Sequence, residues 1–251
     1  MWLVLCESYD ESALWIYEGL KSYGLDPLEL ITSEVLSYSM YWKHKLSSEG
    51  VNTEISLTDG RIINSSKVKG VFNRIAVVHT DHLLIGNSED HDYAIQEFNA
   101  FFLSWLNALP EPMVNRPTPY GMCGKWRHES EWFWLASKAG LKIPHYRQTS
   151  NPDQSIEIGI RDDFQPVTSE KANVIVAGQN VIGRDIPNDI VQACQRFGQL
   201  CNTKLLGIEF DKISESNWLF RSATPLPDLR SGGEKIHEIL STLLKTEQKE
   251  A

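Results

Sequence analysis

Histidine and arginine at short intervals are the side chains in these 251 residues best placed, by type, for ligand or proton chemistry. His79 and His82 flank Asp81 in VVHTDHLL, and two imidazoles with a carboxylate are metal-ligand types. Their three-residue spacing falls in a presumed loop without a fixed third ligand, so no metal is assigned. Lys125, Arg127 and His128 follow Gly121 and Gly124. Backbone N–H groups and positive charge at a helix start suit an anion, although a solvated charged face has the same composition. An Asn-Arg pair occurs twice, as Asn73-Arg74 and Asn115-Arg116, each after a strand end. There α/β folds tend to expose ligand-facing residues, and turn or cap chemistry uses the same types. Cys6, Cys123, Cys194 and Cys201 form no Cys-x-x-Cys pair. They read as reduced thiols, with Cys194 and Cys201 on one helix face as small buried groups.

Composition narrows the partners. With 33 acidic against 24 basic residues the formal charge is −9, which opposes general attraction to nucleic acids or anionic membranes. No local basic patch offsets it. The start, MWLVLCESYDESALW, lacks the basic region and cleavage site of a secretory signal, and no apolar run is long enough to span a bilayer. A cytoplasmic protein is expected. A hydrophobic content of 41% supports either one large core or two small ones.

The elements that must position these residues follow from periodicity. Residues 2–6 read as a buried strand, and 10–23 as a helix with Ala13, Leu14, Tyr17 and Leu20 on one face. A strand at 28–31 completes a parallel β-α-β unit. Extended pieces follow at 53–57, 61–63 and 70–72, with Asp59-Gly60 as a turn. From 89 to 109 runs a helix with Phe98, Phe101, Phe102 and Trp105 on a stripe that reads as core, and Ser88 is its expected N-cap. A strand at 113–115 precedes the connection RPTPYGMCG and a helix over 125–138. Residues 149–170 are polar and carry two prolines, as a loop or boundary would. Beyond lie a hairpin at 173–182, a helix at 190–200, an antiparallel pair at 205–210 and 218–220, and a last helix through Ile236, Ile239, Leu240, Leu243 and Leu244, before the charged tail KTEQKEA.

This order, with the strings VKGVFNRIAVV (68–78), FFLSWLNALP (101–110), PMVNRPTP (112–119), EWFWLASKAGLKIPHYRQTS (131–150) and LLGIEFDKISESNWLFRSATPLPDL (205–229), resembles the ATP-grasp superfamily. The resemblance points to its ribosomal-protein glutamate ligases and graspetide-crosslinking ligases. It implies an α/β fold with a preATP-grasp-like half and parallel sheet over 1–118. A truncated ATP-grasp-like half with antiparallel strands is expected over 119–251. Such ligases clamp ATP with lysines and hold two Mg²⁺ through carboxylates and an Asn. Only 29 positions separate Pro144 from Asn173, and Lys171 is the lysine of that gap. The resemblance places Arg221 at a metal-binding Glu and Ala223 at the Asn. It leaves Glu209 as the candidate catalytic carboxylate, with Asp211 expected on the opposite face of the strand. A shifted register would instead bring Asp228 and the Ser231-Gly232-Gly233 loop toward the site.

The leading expectation is a degenerate binding or accessory protein, not itself an enzyme, that recognises a peptide, a protein or a partner ligase through residues such as Arg74, Arg116 and Arg221, with no cofactor. A ligase with an atypical site using ATP and Mg²⁺, with Lys125, Arg127 and Glu209 as its polar residues, is the rival. A homo-oligomeric subunit, dimerising through surface that a missing subdomain exposes, is the third reading.

Overall fold

The computed structural model describes residues 1–48, 50–83, 88–146 and 170–246. The segment 149–169, the side chain of Ser88 and the tail beyond Thr246 lie outside the described residues. The chain divides into two compact units, Met1–Lys125 with His237–Ala251, and Trp126–Ile236.

The first unit is built on a parallel sheet of order β2-β1-β6-β7. Its strands are β1 (Trp2–Cys6), β2 (Leu28–Thr32), β6 (Gly70–Asn73) and β7 (Met113–Val114). WLVLC is buried at every position, the signature of a strand covered on both faces. Helix α1 (Glu11–Ser22) starts where Asp10 accepts a hydrogen bond from the Ala13 amide, and it buries Ala13, Ile16 and Leu20. Short α2 (Ser33–Ser37) follows β2 directly, capped by the Thr32 hydroxyl.

Beside it stands an antiparallel sheet of β3 (Tyr41–Ser47), β4 (Gly50–Ser56) and β5 (Ile62–Asn64), in that order. Trp42 and Ile55 pair across β3 and β4 on the face that meets α3 (Ser88–Ala108). There the Trp42 ring lies 5.1 Å from Phe101 and 5.3 Å from Trp105. The aromatic stripe of α3 is therefore core, with Phe102 and Trp105 fully buried.

The second unit has an antiparallel sheet of order β11-β10-β8-β9. It contains α4 (Glu129–Ala139), β8 (Glu170–Ala177), β9 (Asn180–Ile182), α5 (Asn188–Cys201), β10 (Leu205–Ser214) and β11 (Asn217–Thr224). One sheet face packs with α4 and α5 around Trp132, Phe133, Phe197, Phe210, Trp218 and Phe220. Cys194 and Cys201 join this core from one side of α5.

Helix α6 (Lys235–Thr246) closes the described chain. By compactness the chain divides between Lys125 and Trp126. Residues from His237 onward return to the first unit because the His237 ring packs 4.0 Å from Trp15 and directly over Gly19. Among the described residues no helix is long and apolar enough to cross a membrane.

Candidate functional site

The second unit carries a cleft of about 310 Å³ on the sheet face opposite its aromatic core. Its floor is set by strand register. Gly207 pairs with Thr224, Ile208 with Ala223 and Glu209 with Ser222, but Phe210 then pairs with Phe220, so Arg221 is one extra residue on β11. A bulge of this kind re-aims the side chains that follow it. Ile208 and Phe210 point into the core, and Ala223 packs against the same core. Glu209, its β8 partner Asn173, Ser222 and Thr224 line the cleft, with Asp228 and Ser231.

Register sets which of these residues face the cleft. Ala223 packs against the core from the edge of the cleft, and Ser222 and Thr224 pair with Glu209 and Gly207 on the cleft side. The expectation for Asp211 is corrected. A two-residue period puts 209 and 211 on one face, with Phe210 buried between them, and the Arg221 guanidinium spans both carboxylates, Nε 3.7 Å from Glu209 Oε2 and Nη1 3.4 Å from Asp211 Oδ1. Asp228 and Ser231 do reach the cleft.

Glu209, Asp228 and Ser231 are each engaged within the second unit. Glu209 Oε2 accepts a hydrogen bond from Ser222 Oγ at 3.0 Å. Asp228 caps a 3₁₀ turn at Leu229–Gly232 and holds Arg230 Nε at 2.9 Å. Ser231 Oγ donates to the Asp228 carbonyl at 2.7 Å. Gly207 leaves no room for a side chain, since an added Cβ would lie 2.8 Å from Pro227.

The other sequence candidates are spread over both units. Arg127 belongs to the second unit and Lys125 to the first. The Arg127 side chain is buried, paired with Glu131, and donates to the Cys201 carbonyl at 2.8 Å, the last carbonyl of α5. His128 caps α4 by accepting from the Ser130 amide. Helix α4 begins at Glu129, so the expected start at 125 is four residues early. Lys125 Nζ lies 5.1 Å from the Tyr120 ring centroid. Arg74 makes a two-point bond to Asp10, at 2.6 and 3.2 Å, and so secures the cap of α1. Arg116 donates to the Asn107 and Leu109 carbonyls at the end of α3 and pairs with Glu111. Asn73 donates to the Asn115 and Met122 carbonyls from a fully buried position. His82 parts from His79 and stacks near Tyr38 and Phe98. Lys171 lies on β8, exposed and paired in register with Asp211.

The fold implies a nucleotide and magnesium, and the described cleft does not fit them. The Glu209 and Asp228 carboxylates each have an arginine beside them, and the polar groups that remain, the hydroxyls of Ser222, Thr224 and Ser231 and the Asn173 amide, are neutral, a poor set to balance two Mg²⁺ ions. No lysine lines the cleft among the described residues. Ser222 and Thr224 were missed from sequence because their facing depends on one extra residue in β11, which periodicity does not reveal.

No protein-family model matches the chain, and no curated protein matches it. Solved structures do. The macrocyclase MdnC bound with precursor peptide MdnA, from Microcystis aeruginosa MRC, superposes with a TM-score of 0.75 at 13% identity, covering 98% of this chain and 99% of that one. A Chryseobacterium gregarium RiPP-associated ATP-grasp ligase, in complex with ADP and a leader and core peptide, gives 0.76 at 14% identity over 98% and 96%. The ATP-grasp ligase PsnB, with a phosphomimetic minimal precursor, Mg and ADP, gives 0.71 at 15% over 98% of each. The chain has the ATP-grasp fold: a mixed α/β structure with a parallel sheet and antiparallel sheets, as the resemblance implied.

Proposed function

We propose that this protein acts in peptide modification as a peptide-binding accessory factor of ATP-grasp architecture that does not itself carry out ATP-dependent ligation. The observation that carries the reading is the donor set of the second-unit cleft. Ser222 and Thr224 offer hydroxyls on the face of Glu209, while Arg221 and Arg230 stand against the carboxylates Glu209 and Asp228. Acyl phosphate formation needs metal and lysine on the transferring phosphoryl group, and this surface supplies neither arrangement. The peptide partner is inferred from similar folds that were solved with precursor peptides. Four free, buried cysteines suit a reducing compartment such as the cytoplasm.

A ligase with an atypical site is the second reading, favoured by the meeting of Glu209 and Asp228 in one cleft. Incubation with Mg·ATP, hydroxylamine and labelled graspetide precursor peptides, MdnA and PsnA2 among them, separates the two. The accessory reading expects saturable peptide anisotropy with no hydroxamate and no ADP release. Hydroxamate that disappears in Glu209→Gln would establish the ligase, and failure of every precursor to bind would remove the peptide-binding claim.

A further inference from the structure

A second constellation lies wholly within the first unit, at the carboxyl ends of its parallel strands. Glu7 directly follows β1, Glu34 sits in α2 just after β2, and His79 lies six residues beyond β6. Strand β1 stands beside β6, and the connection out of β1 runs to β2 on one side while that out of β6 runs to β7 on the other. That is the topological switch point at which open α/β sheets bind ligands.

Three ligand atoms converge there. His79 Nε2 is 3.1 Å from Glu7 Oε2 and 3.4 Å from Glu34 Oε1, and all three lie within 4.8 Å of one another. Ligand bonds of about 2.0–2.2 Å at tetrahedral angles separate donor atoms by roughly 3.3–3.6 Å, so little movement is needed to admit an ion. The carboxylates are already oriented from behind. Glu7 Oε1 accepts the amides of Ala76 and Val77 at 3.0 and 3.1 Å, and the Ser33 hydroxyl donates to Oε2. Glu34 Oε1 accepts the Ser8 hydroxyl at 2.6 Å, and the Ser8 amide reaches both of its oxygens. Outer contacts of this kind fix ligating groups in metal sites. Burial alone would raise the Glu34 carboxyl, but hydrogen bonds from Ser8, Thr32 and the backbone hold it below its ordinary value.

Charge is the second argument. Two carboxylates, one of them 5% exposed, face a single imidazole, and the neighbouring Arg74 is bonded to Asp10. Even a protonated His79 leaves the trio net negative, whereas a dication neutralises it. Glu34 and His79 are about a quarter exposed, at 26% and 25%, which gives an ion a way in. Cys6 does not join, being fully buried with its thiol pushed up to about 12 by burial and then by the Asp10 and Glu7 charges.

We propose that Glu7, Glu34 and His79 bind a transition-metal dication of the zinc class, with a solvent molecule completing the shell. One imidazole with two carboxylates favours such an ion over Mg²⁺ or Ca²⁺. This inference does not rest on the accessory-factor reading. Metal-stripped protein titrated with ZnCl₂ in a calorimeter takes up one equivalent at micromolar or tighter affinity. Both Glu34→Gln and His79→Asn weaken that uptake at least tenfold while circular dichroism stays unchanged, and Co²⁺ at the same site gives visible d–d absorption lost in His79→Asn. Absence of saturable Zn²⁺ uptake overturns the proposal. So does uptake that survives both substitutions, which would belong to other histidines.

Discussion

At the residue scale, arginine proves to be the chain's means of finishing helices. Arg116 meets the last carbonyls of α3, Arg196 Nε donates to the Ala139 carbonyl of α4 at 2.9 Å, and Arg127 meets the end of α5. Cations are favoured there because unsatisfied carbonyls carry the negative end of the helix dipole. From sequence an arginine after a glycine turn or a strand end looks the same whether it serves a ligand or a cap, which is why Arg74, Arg116 and Arg127 were legible as residues of interest but not by role. Arg127→Met should lower stability by about 1–3 kcal/mol, seen as an earlier denaturation midpoint, with no change in peptide binding. Gly19 offers a sharper case. Alanine in a helix interior ordinarily gains roughly 0.5–1 kcal/mol over glycine, but an added Cβ here would lie 2.2 Å from the His237 ring. Gly19→Ala is therefore expected to destabilise by about 1–3 kcal/mol, a change of opposite sign that denaturant titration resolves.

At the element scale the strongly patterned segments were readable. WLVLC, the α3 stripe, and the β4 and β5 strands around Asp59-Gly60 all follow from burial period and turn chemistry, and they stand close to where periodicity put them. Strand β3 and helix α2 were not anticipated. YWKHKLS mixes charges with one partly buried ring, Trp42, and α2 is only five residues long, so neither offers a repeating apolar signal. The β11 bulge was equally hidden, and it decides which side chains meet in the cleft. Two elements also make a pH prediction. Cys6 at the end of β1 and Cys194 on α5 have thiols pushed up to about 12, chiefly by burial, from an ordinary 9.0. Below pH 9 both states hold these protons and the groups leave stability unchanged. Between pH 9 and 12 the unfolded chain releases them while the folded one retains them, so stability falls as pH rises, by up to roughly 1.4 kcal/mol per pH unit for each thiol. Urea midpoints at pH 8, 9.5 and 10.5 should decline in that order. At pH 8 an alkylating reagent should spare both thiols in the folded protein and label them in urea.

At the scale of the whole molecule, the fold was legible because its element order and several local strings resemble a known architecture, and structures solved for that architecture superpose along nearly the full chain. Activity does not follow from architecture, since one fold hosts many functions and the site decides among them. Here the cleft of the second unit pairs Glu209 and Asp228 with Arg221 and Arg230 and fills the remaining positions with an amide and hydroxyls. The most direct measurement is thermal unfolding with and without millimolar Mg·ATP. A ligand at about 100 times its dissociation constant stabilises by roughly 2.7 kcal/mol, which for a chain of this size raises the melting temperature by roughly 5–10 °C. The accessory-factor account predicts no Mg²⁺-dependent shift. A reproducible rise of several degrees that needs both Mg²⁺ and ATP would contradict it and show that the protein binds the nucleotide.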